Sequence, residues 1–518
     1  MSDAPILAGR ISCWSRALAR LLLAGMLAIL VLSALLRVFD FDQLPDQGEG
    51  TLLTMIERMR REPISRRWLE GPELTLSPYG PAYYWIVEGA STVMPWRQTV
   101  IPGRLVSLAA TLLTAALIAL VIGRAARNVE PALLGAIAFL AAPPVHTWGM
   151  MHRVDSLAML CALGTYLWLG GRGEPGRRLE AATDAAAGGG KIEPHTSAAW
   201  LLAGSAVCAA LGSLAKQTVA FSAIPVVLYL FGQRRFRAAV LYALAVGGLG
   251  AIAWWTLDRL SGGYYFAGAV RGNICRMSLR HGFWAGHAFL ATPLGVAAAA
   301  VVLGQFVRGP GRAIRSVYWI AWITSTLIAT GLSCKEGSTS SYFLESCALG
   351  AVLLGVDLLA PFWSLHRGRA LAAGLLLAAA LAAPDVQLIR RHGLRFPVEP
   401  YGGKLIAQHL AGAGNGYVLS DGQHLAAVLQ AGCRPLVNDP FLYRVMVQSG
   451  VLSPRIMLDA IEQGRVKYLV LKRTVESHRA QVGTSMSQIW PLAVVEVFAR
   501  DYVLDATPAE GIFIYRHR

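Results

Sequence analysis

Long apolar runs separated by short polar stretches fill the first 390 residues. A lipid-spanning helix needs about 20 mostly apolar residues, because its backbone polar groups must be satisfied internally. The runs predict eleven spans, near 18–38, 102–123, 131–146, 155–171, 198–214, 218–232, 238–257, 288–307, 316–333, 345–362 and 369–385. Positive charge falls in alternate connections. These hold Arg124 and Arg127, then Arg172, Arg177, Arg178 and Lys191, then Arg234, Arg235 and Arg237, then Arg308, Arg312 and Arg315, then Arg367 and Arg369. Basic connections stay on the cytoplasmic side. The N-terminus, with Arg10, Arg16 and Arg20, is therefore expected inside, and an odd number of crossings places the C-terminus outside. No A-x-A-like cleavage site follows the first run, which reads as an uncleaved first helix.

The connections expected outside are richer in aromatic residues. In the first, residues 40–101, TLLTMIERMRREPI has helical periodicity and mixed charge. It predicts a helix lying at the membrane interface. PYGPAYYWIVEGASTVMPW suits an interfacial aromatic belt, and DRLSGGYYFAGAVRGNICRMSLRHGFW again mixes aromatics with Arg. On the inner side, EAATDAAAGGGKIEP reads as a flexible loop. Beyond Phe396 the pattern changes. Short apolar runs (GYVLS, RPLVND, VKYLVLK) alternate with helix-like segments, and VVEVFARDYVLD with GIFIYRH predicts a closing hairpin. The expected fold class is a polytopic α-helical membrane protein over residues 1–390, followed by a small extracytoplasmic α/β domain over 391–518.

Composition agrees with this and removes one class of partner. Of 518 residues, 55% are hydrophobic and 15% charged, against about 25% charged in soluble proteins. The net charge of +16 would suit nucleic acid, but the basic residues are spread between apolar runs. No nucleic-acid partner is expected from that distribution. Seven cysteines form no C-x-x-C pair and no zinc spacing. Cys275, Cys334 and Cys433 fall in segments expected outside. A Cys275–Cys334 bridge is open there, and spacing does not fix it. No G-x-G-x-x-G, P-loop or internal repeat is present.

Four polar clusters share the side expected to be outer. PDQGEG places Asp46 and Glu49 three residues apart on one face of a helix start. Helix capping is the ordinary reading, and chemistry the alternative. HTWGMMHRVDSLAML gathers His146, His152, Arg153 and Asp155 at a span end, where unpaired charge is costly. Asp46 and Asp155 can hold a divalent metal, with His152 or His146 as a further ligand, or one carboxylate can act as a base. KEGSTSSYFLE offers Lys335, Ser338 and Tyr342. A point charge beside hydroxyls suits an anionic headgroup, or else an ordinary polar turn. Lys216, between two apolar runs, is either a binding cation or a snorkelling side chain.

The order of these motifs resembles the GT-C superfamily of membrane glycosyltransferases, in particular its protein O-mannosyltransferase and aminoarabinose-transferase branch. The resemblance spans roughly residues 18–385. It is carried by PDQGEG, SPYGPAYYW, GRLVSLAATLLTAALIALVIGR, HRVDSLAMLCALGTYL, LGSLAKQT and KEGSTSSYFLE, in that order. It implies an inverting transferase that moves a sugar from a polyprenyl-phosphate donor to a glycan, lipid or protein acceptor. The location implied is the outer face of a bacterial plasma (inner) membrane. Asp46 is then the catalytic carboxylate, as base or metal ligand, with Asp155 in support. Glu49, Tyr83, Arg153, Lys216, Lys335, Ser338 and Tyr342 are expected to contact substrate, the cations facing the donor phosphate. A divalent metal, if used, is expected on Asp46, Asp155 and His152. Two departures matter. Gln47 stands where Glu often follows the first Asp, which leaves the metal open. Pro78-Tyr79-Gly80-Pro81 stands where aminoarabinose transferases carry a Glu-Lys pair, which argues against lipid A aminoarabinose as the product. A transporter or flippase is the alternative, and it is expected to show repeated halves and polar residues at mid-membrane. A third reading is a scaffold whose outer domain binds a partner.

Overall fold

The apolar runs fold as helices at all eleven expected positions in a computed structural model. It describes residues 4–39, 46–169, 195–309, 316–365, 367–392, 403–411, 416–481 and 489–518. Among these, Ala17–Val38, Ile101–Ala126, Phe236–Leu260 and Ser340–Trp363 are long and apolar enough to cross a membrane alone. Leu279–Leu290 and Pro293–Val307, bent by 85°, make a fifth together. The other six positions hold apolar helices of 10–17 residues. The chain is a multi-pass helical membrane protein. The expected inner loop over 180–194, with Lys191, lies outside the described residues, as do Arg172, Arg177, Arg178, Arg312 and Arg315.

Local signals set the helix ends. Pro102 opens Ile101–Ala126, where its missing N–H is no loss. Arg127, at φ 50°, ends that helix in the left-handed region. Asn128 then caps Val129–Leu140 through the Val129 N–H at 2.9 Å. Leu344–Leu353 runs through the middle of the bundle, buried on nearly all sides against Ile118, Ile122 and Phe139. A helix apolar all round belongs at such a centre. Its N-terminal turn is thereby fixed, and that turn reaches the site described below.

The C-terminal domain is a five-stranded sheet with helices. Strands β1 (Tyr417–Ser420), β2 (Arg434–Pro435), β3 (Val466–Leu471), β4 (Tyr502–Ala509) and β5 (Ile512–His517) are ordered β2-β1-β3-β5-β4. β1 pairs in parallel with both β2 and β3, whereas β3–β5 and β4–β5 are antiparallel. The β4–β5 hairpin is the one expected, although VVEVFA lies in the helix Leu492–Asp501 before it. In open parallel sheets, the carboxyl ends of strands flanking a direction switch usually receive a ligand. Here the loop after β1 is seated on the helix Gln47–Met59. A Cβ at Gly50 would lie 2.1 Å from the Gly422 carbonyl oxygen. Only glycine permits that approach.

Further contacts fasten the domain. Leu74 pairs in parallel with Val437, its N–H donating to the Leu436 carbonyl at 2.7 Å. The Asn438 carboxamide accepts from the Leu76 N–H at 2.6 Å and donates to the Leu76 carbonyl at 3.0 Å. The Thr51 hydroxyl donates to the Asn438 carbonyl at 3.0 Å. Arg444 and Glu336 form a fully buried ion pair at 2.8 Å.

One expectation is corrected, and one open question is answered. The helix in TLLTMIERM does form, but it does not show its apolar face to lipid. Leu52, Met55 and Ile56 join Leu419, Leu436 and Leu442 in one core. Its amphipathic period therefore records a protein neighbour, which has the same spacing signature as an interface. The Cys275–Cys334 bridge is not formed. Both thiols are free, and Cys275 donates to the Glu336 carbonyl at 3.8 Å.

Arg444→Met leaves Glu336 buried and unpaired, which typically costs about 3–5 kcal/mol. The thermal midpoint of the detergent-solubilised protein is expected to fall, and adding Glu336→Leu to recover most of the loss. A double variant no better than the single would show that the pair does not lock the domain.

Candidate active site

Each of the central side chains sits at a helix end on the face that carries the C-terminal domain. Asp46 is the N-cap of Gln47–Met59, its Oδ2 accepting from the Gly48 N–H at 3.1 Å. Arg153 lies in the turn between Pro143–Trp148 and Asp155–Leu167, and Asp155 opens the latter helix. Lys216 stands at the break between His195–Ala215 and the 3₁₀ turn Gln217–Ser222. Tyr342 belongs to the 3₁₀ turn Ser340–Phe343, at the start of the central helix. The chain opens helices here and so brings side chains from four regions together without breaking a hydrogen-bond ladder.

The charges form a row. Lys216 Nζ donates to Asp155 Oδ1 at 2.6 Å. Arg153 Nε donates to Asp155 Oδ2 at 3.2 Å, and Arg153 Nη1 to Asp46 Oδ2 at 2.5 Å. Lys216 also lies 4.2 Å from the Tyr342 ring centre, and Arg153 lies 5.0 Å from that of Trp148. Trp148 donates to the Ser340 hydroxyl at 2.7 Å, tying the two turns together. Exposure separates the carboxylates. The Asp155 side chain is 2% exposed and both its oxygens are engaged, whereas Asp46 is 25% exposed. Among the described residues Asp46 Oδ1 accepts no hydrogen bond. A cavity continues from Asp155, Lys216, Ser341 and Tyr342 between walls that include Ile328 and Leu332. Burial opposes the Arg153 charge, but Asp46 and Asp155 outweigh it and raise its pKa further.

Other expected site residues face elsewhere. Glu49 completes the capping box and is fully buried. Burial alone would raise its pKa. Arg104, donating to both its oxygens at 2.7 Å, and the His152 N–H at 2.8 Å hold it below the usual value. Its capacity is spent inside the protein. The His152 ring packs 5.7 Å from that of Tyr83. Burial lowers its pKa to about 4, and neither ring nitrogen has a hydrogen-bond partner among the described residues. The Tyr83 hydroxyl is satisfied by the Gly103 carbonyl and Ser107 Oγ, each at 3.0 Å. Ser338 donates to the Ser333 carbonyl at 2.8 Å. His146 pairs with Arg37 and Asp385, at 2.7 and 3.0 Å. Lys335 bonds Asn273 but lies close enough to Lys216 for that charge, after burial, to lower its pKa.

Sequence reasoning missed three participants. Arg104 sits in the first turn of an apolar run, and a cation there should have prompted a search for its partner. Tyr79 shares the electrostatic surroundings of Arg153, Asp155, Lys216 and Tyr342, and burial raises its phenol pKa. Asp439, the N-cap of Pro440–Gln448 in the C-terminal domain, shares the electrostatic surroundings of Arg153 and Asp46, and nothing in the local pattern could reveal that.

The divalent metal expected on Asp46, Asp155 and His152 does not fit these residues. The Arg153 guanidinium bridges the two carboxylates, and His152 packs beside Tyr83. Among the described residues no group of three or more His, Cys, Asp or Glu could hold a metal ion.

No family model matches the sequence, and no curated relative matches it. Solved structures do match. ArnT from Cupriavidus metallidurans in the apo state superposes with a TM-score of 0.62 at 13% identity, over 97% of this chain and 98% of that one. The same protein bound to undecaprenyl phosphate gives 0.57 at 14% identity, over 96% and 98%. The Archaeoglobus fulgidus oligosaccharyltransferase in the apo form gives 0.55 at 12% identity, over 95% of this chain and 74% of that one. That oligosaccharyltransferase has also been solved with Zn and sulfate. At these identities the likeness is one of fold. This chain has the fold of these structures, in line with the membrane fold that its motif order implied.

A Cβ at Gly103 would lie 1.9 Å from the His152 ring. Gly103→Ala is expected to lower the melting temperature in detergent, and His152→Ala in the same chain to relieve the loss. Unchanged melting of the single variant would contradict this packing.

Proposed function

We propose that the chain is an inverting glycosyltransferase that takes a sugar from a polyprenyl-phosphate donor. The observation that carries this reading is Asp46. It is a partly open carboxylate whose Oδ1 accepts no hydrogen bond among the described residues, and Arg153 ties it to Asp155, which lines a cavity together with Lys216. The solved neighbours bound to undecaprenyl phosphate and to a dolichol-phosphate support the donor class. So does the cavity, where Lys216 offers a cation to a phosphate and Ala158, Val219, Ile328 and Leu332 offer apolar surface to an isoprenoid chain.

In this reading the acceptor hydroxyl loses its proton to Asp46 Oδ1 as its oxygen bonds to the anomeric carbon. The bond from that carbon to the phosphate oxygen breaks on the opposite side, which inverts the centre. The polyprenyl phosphate leaves with its electron pair beside Lys216 and Lys335, where fixed cations stabilise the developing charge. Asp155 touches no reacting atom. It orients Arg153 and Lys216. Tyr342, stacked beneath Lys216, borders the donor phosphate. Because the donor set does not suit a divalent ion, no step is assigned to one.

The domains divide near residue 391, with a GT-C-like membrane part before and an extracytoplasmic part after. We place the protein in a bacterial plasma (inner) membrane with its N-terminus cytoplasmic. Gly103 and Arg104 stand at the site end of Ile101–Ala126, and the basic Arg124 and Arg127 at the other end, as that orientation requires.

Removing a general base typically costs about 10²–10⁴ in rate. Asp46→Asn in proteoliposomes is therefore expected to lose transfer by that factor while keeping normal expression and melting. Wild-type transfer in that variant would overturn the assignment. Saturable lipid or sugar movement across vesicles, with no glycosylated product, would instead favour a transporter.

A further inference from the structure

We propose that Asp439, supplied by the C-terminal domain, is a specificity-determining residue. It holds a second hydroxyl of the acceptor while Asp46 takes the proton from the first, so the acceptor is a sugar with neighbouring hydroxyls. This rests on the transferase reading above.

The placement comes from three fastenings around one helix start. Asp439 is the N-cap of Pro440–Gln448, accepting from the Leu442 N–H at 2.9 Å. On one side, Asn438 is clamped to Leu76 and to Thr51, one turn along the helix that Asp46 caps. On another, the Phe441 ring packs against Gly337, in the loop that carries Lys335. Behind it, Arg444 is locked to Glu336. These fastenings hold the Asp439 helix start between the helix that Asp46 caps and the loop that carries Lys335. Its neighbour Asn438 bonds Thr51 on the helix that Asp46 caps, which puts Asp439 toward the Asp46 end of the row. Lys216, at the other end, marks the donor phosphate side. Asp439 keeps part of its surface exposed.

Chemistry then narrows the acceptor. Two carboxylates on one side of a site repel a phosphate or carboxylate and accept hydrogen bonds from hydroxyls. One carboxylate is needed for the attacking hydroxyl. A second beside it suits a diol, which a sugar offers and a serine or threonine side chain does not. Burial pushes the Asp439 pKa up to about 6, with Asp46 adding to the rise against Arg153 and two helix N–H groups.

Capping alone is the competing role, and it can be separated. Asn and Ser cap helices about as well as Asp, whereas Ala does not. The test uses the full-length protein in its own cells. Surface glycans, proteins and lipids are compared by mass spectrometry and linkage analysis for wild type, Asp46→Asn, Asp439→Asn, Asp439→Ser and Asp439→Ala. The expected result is a sugar-to-sugar linkage that Asp46→Asn abolishes. Asp439→Asn and Asp439→Ser should each reduce it about tenfold or more at equal protein level, the scale of a hydrogen bond to a charged group. Full product with Asn and Ser, and loss only with Ala, makes Asp439 a cap and overturns the proposal. A lost linkage to protein or to a lipid headgroup also overturns it, while leaving the transferase reading intact. If Asp46→Asn changes nothing, the transferase reading itself falls.

Discussion

The Arg153 guanidinium joins Asp46 and Asp155, two carboxylates from regions far apart in the chain, through nitrogens on one planar fork. Without it, two anions would face each other at the ends of apolar helices, where a buried unpaired charge is strongly destabilising. Lys216 extends the pairing on the buried side, so Asp155 is satisfied twice and Asp46 only in part. That asymmetry separates a structural carboxylate from one that can meet a substrate. The Trp148 and Tyr342 rings beneath the two cations restrict where each head can move.

Holding that row in place requires the whole upper face of the molecule. The helix that Asp46 caps is buried beneath the C-terminal domain, and its Glu49 is tied to Arg104. Asp46 and Glu49 thus share one capping box and divide its duties. One anchors the helix to the bundle, and the other keeps an oxygen free. The carboxyl end of β1, where a ligand would ordinarily bind, is used instead to seat this helix. The small domain in that sense holds in place the helix that Asp46 caps.

Much of this was legible in the sequence because lipid makes charge conspicuous. The eleven apolar runs, the strands in GYVLS and VKYLVLK, and the cluster of Asp46, Arg153, Asp155 and Lys216 all follow from periodicity and the cost of burying charge. What was not legible depends on long-range partners. Glu49, Tyr83 and Ser338 were polar residues in the right motifs, and each is satisfied by its own neighbours. The spacing of His152 suggested a ligand, yet its ring packs beside Tyr83 against a glycine. An amphipathic helix was read as interfacial because periodicity records an apolar neighbour without naming it. Asn438 meets residues more than 350 positions earlier, and no local pattern encodes that.

The most direct test of the central claim is the transfer rate of Arg153→Lys, with polyprenyl-phosphate sugar and acceptor-bearing membranes supplied to proteoliposomes. Lysine keeps the positive charge but is a point cation that cannot bridge two carboxylates with a planar fork. Losing a charge-assisted bond of about 1.5–3 kcal/mol predicts a fall of roughly tenfold to a hundredfold, with the protein still folded. A rate equal to wild type would contradict the account, because charge alone would then suffice where the geometry of the clamp is held to be essential.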